Sequence, residues 1–123
     1  MVRTISVRVR AICSATESEE KVVKAVSNVL GMDLKDAVRW TRTTGIFGDP
    51  LSVMEVELRG EEAELAAERL TSKLPEGYAE ERSVITGSHE VVHVRLDKQA
   101  AFTGQFVLGE RDAIKVEIRR ERV

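Results

Sequence analysis

Arg95, Asp97, Lys98 and Gln99, at the end of one alternating segment, are the residues best placed in this sequence to meet a ligand. They lie in His93-Val94-Arg95-Leu96-Asp97-Lys98-Gln99-Ala100-Ala101-Phe102, where a two-residue repeat gives way to another period. The chemistry open to them is anion recognition. An arginine fork and a lysine ammonium neutralise phosphate, and a glutamine amide adds a hydrogen bond. Asp97 supplies the opposing reading: it is the nearest acid to Arg95 and Lys98, and pairing would make the group a self-satisfied strand cap.

Other reactive side chains carry weaker signals. His89 and His93 are four apart on one expected strand and share a face, but no third ligand has suitable spacing for a metal. We read both as solvated surface histidines. Cys13, the single cysteine, has no nearby histidine and reads as a small buried hydrophobe. The sequence contains no nucleophile elbow, phosphate loop or zinc-protease motif. Gly45, Gly48, Asp49 and Pro50 read as turn residues, and Glu61-Glu62 as acids serving a helix start. No catalytic residue, metal or cofactor is expected.

Those residues need a scaffold, and 123 residues suffice for a single domain, expected over 1–123. No apolar run approaches the roughly 20 residues of a membrane span, and the alternation from Arg3 onward reads as a strand rather than a secretory leader. One cysteine allows no internal disulfide, so a reducing, cytoplasmic setting is expected. The net charge of −2 hides a sorting by position. Acids crowd the segment from Glu61 to Glu81, while cations favour the expected strands.

Arg3 to Ile12 alternates as a half-buried strand with Ile5, Val7, Val9 and Ala11 inward. Thr16, with Glu19 three residues on, is read as the cap of a helix that Gly31 ends. Ala37 to Thr44 and Leu51 to Leu58 read as strands, and Trp40 shares the inward parity of Val38. Glu61 to about Leu74 reads as the second helix, with an alanine-rich apolar face. Tyr78 to Ser88 is expected to be irregular, with a short strand near Val84. Glu90 to Asp97 is a strand and Lys98 to Phe102 a helical turn. Gln105 to Leu108 reads as a connecting strand or helix end, and Asp112 to Arg120 as the last strand. The expected class is α+β, a mainly antiparallel sheet with two helices packed on one face.

The uncovered face would then carry Ser6, Arg8, Arg10, Arg39, Thr41, His93, Arg95, Lys115, Glu117 and Arg119. Cations on neighbouring strands suit a phosphate backbone, because each neutralised phosphate releases counterions. The competing reading pairs these arginines with Glu55, Glu57, Asp97 and Glu117 across strands. With few aromatics to stack on bases, backbone and shape contacts are favoured over base reading.

The run from Val92 to Gly104, followed by Asp112-Ala113-Ile114-Lys115-Val116-Glu117-Ile118-Arg119, resembles the archaeal family of exosome-associated RNA-binding proteins. Ala15-Thr16-Glu17-Ser18-Glu19-Glu20-Lys21-Val22 resembles that family's entry to the first helix. Gly45-Ile46-Phe47-Gly48-Asp49-Pro50-Leu51 resembles its loop of Gly, aromatic, Gly, Asn, Pro and an apolar residue, with Asp49 in place of Asn. The resemblance implies a fold like that of the fifth large-subunit ribosomal protein and carries over Arg95, Asp97, Lys98, Gln99, Asp112 and Lys115, with Gly45, Gly48 and Pro50 in the loop. The expected function is non-enzymatic RNA binding, as an accessory of an exosome or other RNA-processing complex. Arg8, Arg10, Arg39, Arg95, Lys98, Lys115 and Arg119 are the expected phosphate contacts, with Gln99 adding a hydrogen bond. The alternative is a structural or protein-interaction module, a homodimer or complex subunit, without RNA contact.

Overall fold

Each alternating segment forms a strand that buries the apolar half of its pattern. The computed structural model describes residues 2–34 and 37–122. Its strands are β1 (Val2–Cys13), β2 (Arg39–Thr44), β3 (Pro50–Arg59), β4 (Ser83–Thr86), β5 (His89–Asp97) and β6 (Ala113–Arg122). Its helices are α1 (Glu19–Leu30), α2 (Gly60–Thr71), and the short α3 (Tyr78–Glu81) and α4 (Lys98–Phe102). The expected α+β class holds, with a six-stranded sheet antiparallel throughout.

The strand order is β2-β3-β1-β6-β5-β4, so the first and last strands meet at the centre. Their register sets Val7 against Ile118 and Val9 against Val116. The same rows continue to Leu58 and Val56 in β3 and to Val92 and Val94 in β5. Four strands therefore present one continuous apolar surface. Onto it α1 lays Val22, Ala25, Val26, Val29 and Leu30, and α2 lays Ala63, Ala66, Ala67 and Leu70. The small alanine side chains let α2 lie close to β1 and β3.

Several local expectations change. Ser18, not Thr16, caps α1 by accepting from the Lys21 backbone N–H at 3.4 Å. A register shift between Thr4 and Ser6 breaks the β1 alternation at Ile5, and Ser6 is buried rather than solvated. The short strand expected near Val84 is β4, an edge strand on β5. Residues 105–108 add no strand. They are hooked to the end of β5 by a bridge between Leu96 and Leu108 and by Asp97 N–H donating to Val107 O at 2.7 Å. At the end of α1, Gly31 takes the left-handed conformation that favours glycine. Its φ is +72°, and a Cβ there would lie 2.8 Å from the Arg69 side chain.

Ile118 faces the helices in the central strand and is fully buried. Ile118→Ala is expected to lower the unfolding free energy by about 2–5 kcal/mol. Leu65→Ala, on the exposed side of α2, should change it by less than about 0.5 kcal/mol. Urea denaturation of the two variants measures both.

Candidate nucleic-acid interface

The helices leave one face of the sheet open, and strand register sorts its side chains into rows. One row runs Arg39, Glu55, Arg10, Lys115, Arg95 across five strands. The next runs Glu57, Arg8, Glu117, His93, and a third Arg59, Ser6, Arg119, Val91. Neighbouring strands stand roughly 4.8 Å apart, so Arg10, Lys115 and Arg95 are set side by side. Like charges placed directly opposite weaken a sheet. Glu55, directly opposite Arg10, and Glu110, paired with Arg95, offset part of that repulsion.

Cross-strand pairing accounts for part of the charge. Arg8 lies 3.6 Å and Arg59 2.9 Å from the Glu57 carboxylate, and Arg39 lies 4.0 Å from Glu55. Arg95 reaches Glu110 at 3.3 Å, and Arg82 reaches the same carboxylate at 2.9 Å. Arg10, Lys115 and Arg119 are exposed and form no ion pair or side-chain hydrogen bond among the described residues. Arg10 and Lys115 flank a shallow depression of about 400 Å³ that Arg8, Glu55, His93 and Arg95 also line. Among the described residues, no group of His, Cys, Asp and Glu side chains could hold a metal ion.

The polar group at the end of β5 is split up by the fold. Arg95 stays on the open face, but Lys98 turns away from it and is 3% exposed. The Lys98 ammonium donates to Ile12 O at 2.7 Å, Glu17 Oε1 at 2.8 Å and Asp112 Oδ1 at 2.9 Å. Its three donors are thereby used, and the expected phosphate contact by Lys98 has none left to offer. Gln99 faces the cleft between α1 and α4, beside Lys21 and Phe102, on the helix side of the sheet. Asp97 is a helix cap, accepting from Gln99 N–H at 3.0 Å. The acids that serve Arg95 and Lys98 are instead Glu110, and Glu17 with Asp112. Sequence distance hid these partners. The one local signal was the change of period at Asp97, which directs the next residues into the helix layer.

Burial pushes the Lys98 ammonium toward deprotonation, but the bonds to Asp112 and Glu17 outweigh it and hold its pKa above the ordinary value. Burial likewise pushes the Glu17 carboxyl up, and the bonds from Lys98 and from Ser14 outweigh that, leaving its pKa below the ordinary value. Burial raises the neighbouring Cys13 thiol, with Glu17 and Glu19 adding to the effect, so Cys13 stays a protonated core residue. Trp40 is on the helix side, opposite Met54, and half-buried.

A model of the RNA-binding family matches residues 6–120. An RNA-binding protein of Pyrococcus abyssi is 29% identical over 126 residues, spanning 93% of this chain and 80% of that protein. The crystal structure of an Archaeoglobus fulgidus DUF54 protein superposes with a TM-score of 0.75 at 30% identity, over 94% of this chain and 86% of that one. A DUF54 protein of Methanothermobacter thermautotrophicus gives 0.73 at 26% identity, over 94% and 85% of the two chains.

Glu17 and Asp112 keep partial access to water, 21% and 58% exposed, so they can rehydrate if the lysine is lost. Lys98→Met is therefore expected to cost about 1.5–3 kcal/mol, the range for hydrogen bonds to charged groups. Because the folded pKa of Glu17 is lowered, its contribution is full above the ordinary value of 4.5 and is lost as pH falls through the lowered one. The contribution of Lys98 is full below 10.5 and is lost as pH rises through its raised value. Urea midpoints across the acid range should fall less steeply in Glu17→Gln than in the native chain.

Proposed function

This chain belongs to the RNA-binding family, and from that premise we propose that it binds RNA through the open face of its sheet, without catalysis. The observation that carries this reading is the unpaired set Arg10, Lys115 and Arg119, exposed on two adjacent strands. Arg8, Arg39 and Arg95 flank the set, each held by a single acid. Exposed ion pairs of this kind contribute only about 0–1 kcal/mol, so a phosphate can take the place of the carboxylate at small cost. Lys98 acts behind the face as a strut. Gln99, on the helix side, would reach RNA only where a strand wrapped past the end of the sheet.

The finer assignment, an accessory of an exosome or other RNA-processing complex, needs surfaces for partner subunits. The edge strand β4 offers one, since Val84 and Ile85 are more than half exposed and its outer backbone groups have no neighbouring strand. The same observation favours the second reading, a protein-interaction module or homodimer without RNA contact.

Three single-strand phosphate contacts at about 0.7 each predict that log affinity falls with log salt at a slope of about −2. Arg10→Ala and Lys115→Ala should each flatten that slope by about 0.7. Fluorescence anisotropy with single-stranded RNA over a salt series makes the measurement. An affinity indifferent to salt, or unchanged with both cations removed, rules out the basic-face reading.

A further inference from the structure

The β2–β3 hairpin ends in an exposed aromatic for which the fold has no use. Gly45 N–H donates to Asp49 O at 2.7 Å and Gly48 N–H to Gly45 O at 3.0 Å, closing a tight three-residue tip. Gly48 has a φ of +83°, and a Cβ on Gly45 would crowd Asp49 and Leu51 at 3.2 and 3.3 Å. At the apex of the tip Ile46 is 94% and Phe47 90% exposed. Covering a phenylalanine gains about 1.5–3 kcal/mol, which this chain forgoes.

The other four aromatic rings are already covered. Each is half-buried against the core and carries a cation of its own chain: Arg42 over Trp40, Arg82 over Tyr78, Lys21 and Lys24 over Phe102, and Lys73 over Phe106. Among the described residues, no cation lies over the Phe47 ring. Its position also matters. The hairpin continues the strands that carry Arg39 and Glu55, and Glu55 stands opposite Arg10. Asp49, at the base of the tip, is six positions along the chain from Glu55, about 20 Å at roughly 3.3 Å per residue. An extended RNA strand that crosses the basic rows, running parallel to β2 and β3, can therefore reach the tip with one of its ends.

We propose that Phe47 is a stacking post for an unpaired base, so that the ligand of the open face is single-stranded RNA. The proposal rests on the basic-face reading and adds to it the strandedness of the RNA and the place where a base is held. A ring with both faces bare suits a base whose own face is free, and bases inside a duplex have none to offer. Stacking is indifferent to base identity and to salt, whereas the cations answer to salt. The two contributions are therefore separable.

The test compares Phe47→Ala, Phe47→Leu and Phe47→Trp with Arg10→Ala/Lys115→Ala, on single-stranded and fully paired RNA. Phe47→Ala should weaken single-strand binding about 5- to 150-fold. It should leave the salt slope, the affinity for paired RNA and the denaturation midpoint unchanged. Phe47→Leu should be nearly as weak, because it is apolar but has no ring, and Phe47→Trp should restore binding. Unchanged single-strand affinity in Phe47→Ala overturns the stacking post, while a salt slope that still depends on Arg10 and Lys115 keeps the basic face. Full binding by Phe47→Leu overturns it in favour of a merely apolar contact. Loss of self-association or of vesicle binding by Phe47→Ala, at constant RNA affinity, also overturns it. Failure of the native chain to bind any RNA at low salt removes both readings together.

Discussion

Lys98 ties together three connections that the chain makes at one end of the sheet. Its ammonium holds the end of β1 through Ile12 O, the turn into α1 through Glu17, and the approach to β6 through Asp112. A buried charge persists only when paired and hydrogen-bonded, because desolvating it alone is far too costly. Once Lys98 begins α4, these three segments must therefore converge on it. Asp112 has a φ of +46°, uncommon outside glycine but tolerated by aspartate, as it joins the cluster. The same loop carries Glu110, which reaches Arg95 and Arg82 on the far side of β5. One lysine thus influences the ends of three strands and the pairing of the nearest arginine on the open face.

The charge sorting acquires a physical sense from the layering. Glu61, Glu62, Glu64 and Glu68 project from α2 into solvent on the helix side, and the unpaired Arg10, Lys115 and Arg119 occupy the other side. An overall charge of −2 thereby coexists with a sheet face on which cations outnumber acids. The helix side is bound internally by ions of its own. Arg42 of β2 pairs with Glu19 in the first turn of α1, and hydrogen bonding between them lowers the Glu19 pKa and raises that of Arg42. Two arginines three residues apart on β2 thus have different work: Arg39 faces the open side, and Arg42 locks the edge strand to the helix layer.

How much of this was legible depended on sequence range. The period-two segments around Val7 and Val9, Val92 and Val94, and Ile114 to Ile118 marked the strands and their buried sides, since burial of one face imposes alternation directly. Glycine at position 31 marked the end of α1 for an equally local reason. Local signals misplaced the cap of α1 by two residues, because Thr16 and Ser18 are both good caps and the choice depends on how the preceding turn docks. Alternation also failed at Ile5, where a bulge adds a residue that no period records.

The sequence by itself determined the two long helices, the strands with their inward parity beyond the bulge at Ile5, and a surplus of cations on the outward parity. Those properties follow from side-chain periodicity, which the chain carries in full. Tertiary structure alone decided which cations stay free. Strand order placed β6 between β1 and β5, and that neighbourhood set Arg10 against Lys115 and Lys115 against Arg95. It likewise removed Lys98 from the open face, because Glu17 and Asp112 lie 81 and 14 residues away along the chain and become its neighbours only when the sheet closes. An ion pair depends on distance in space, and local sequence patterns do not report that distance.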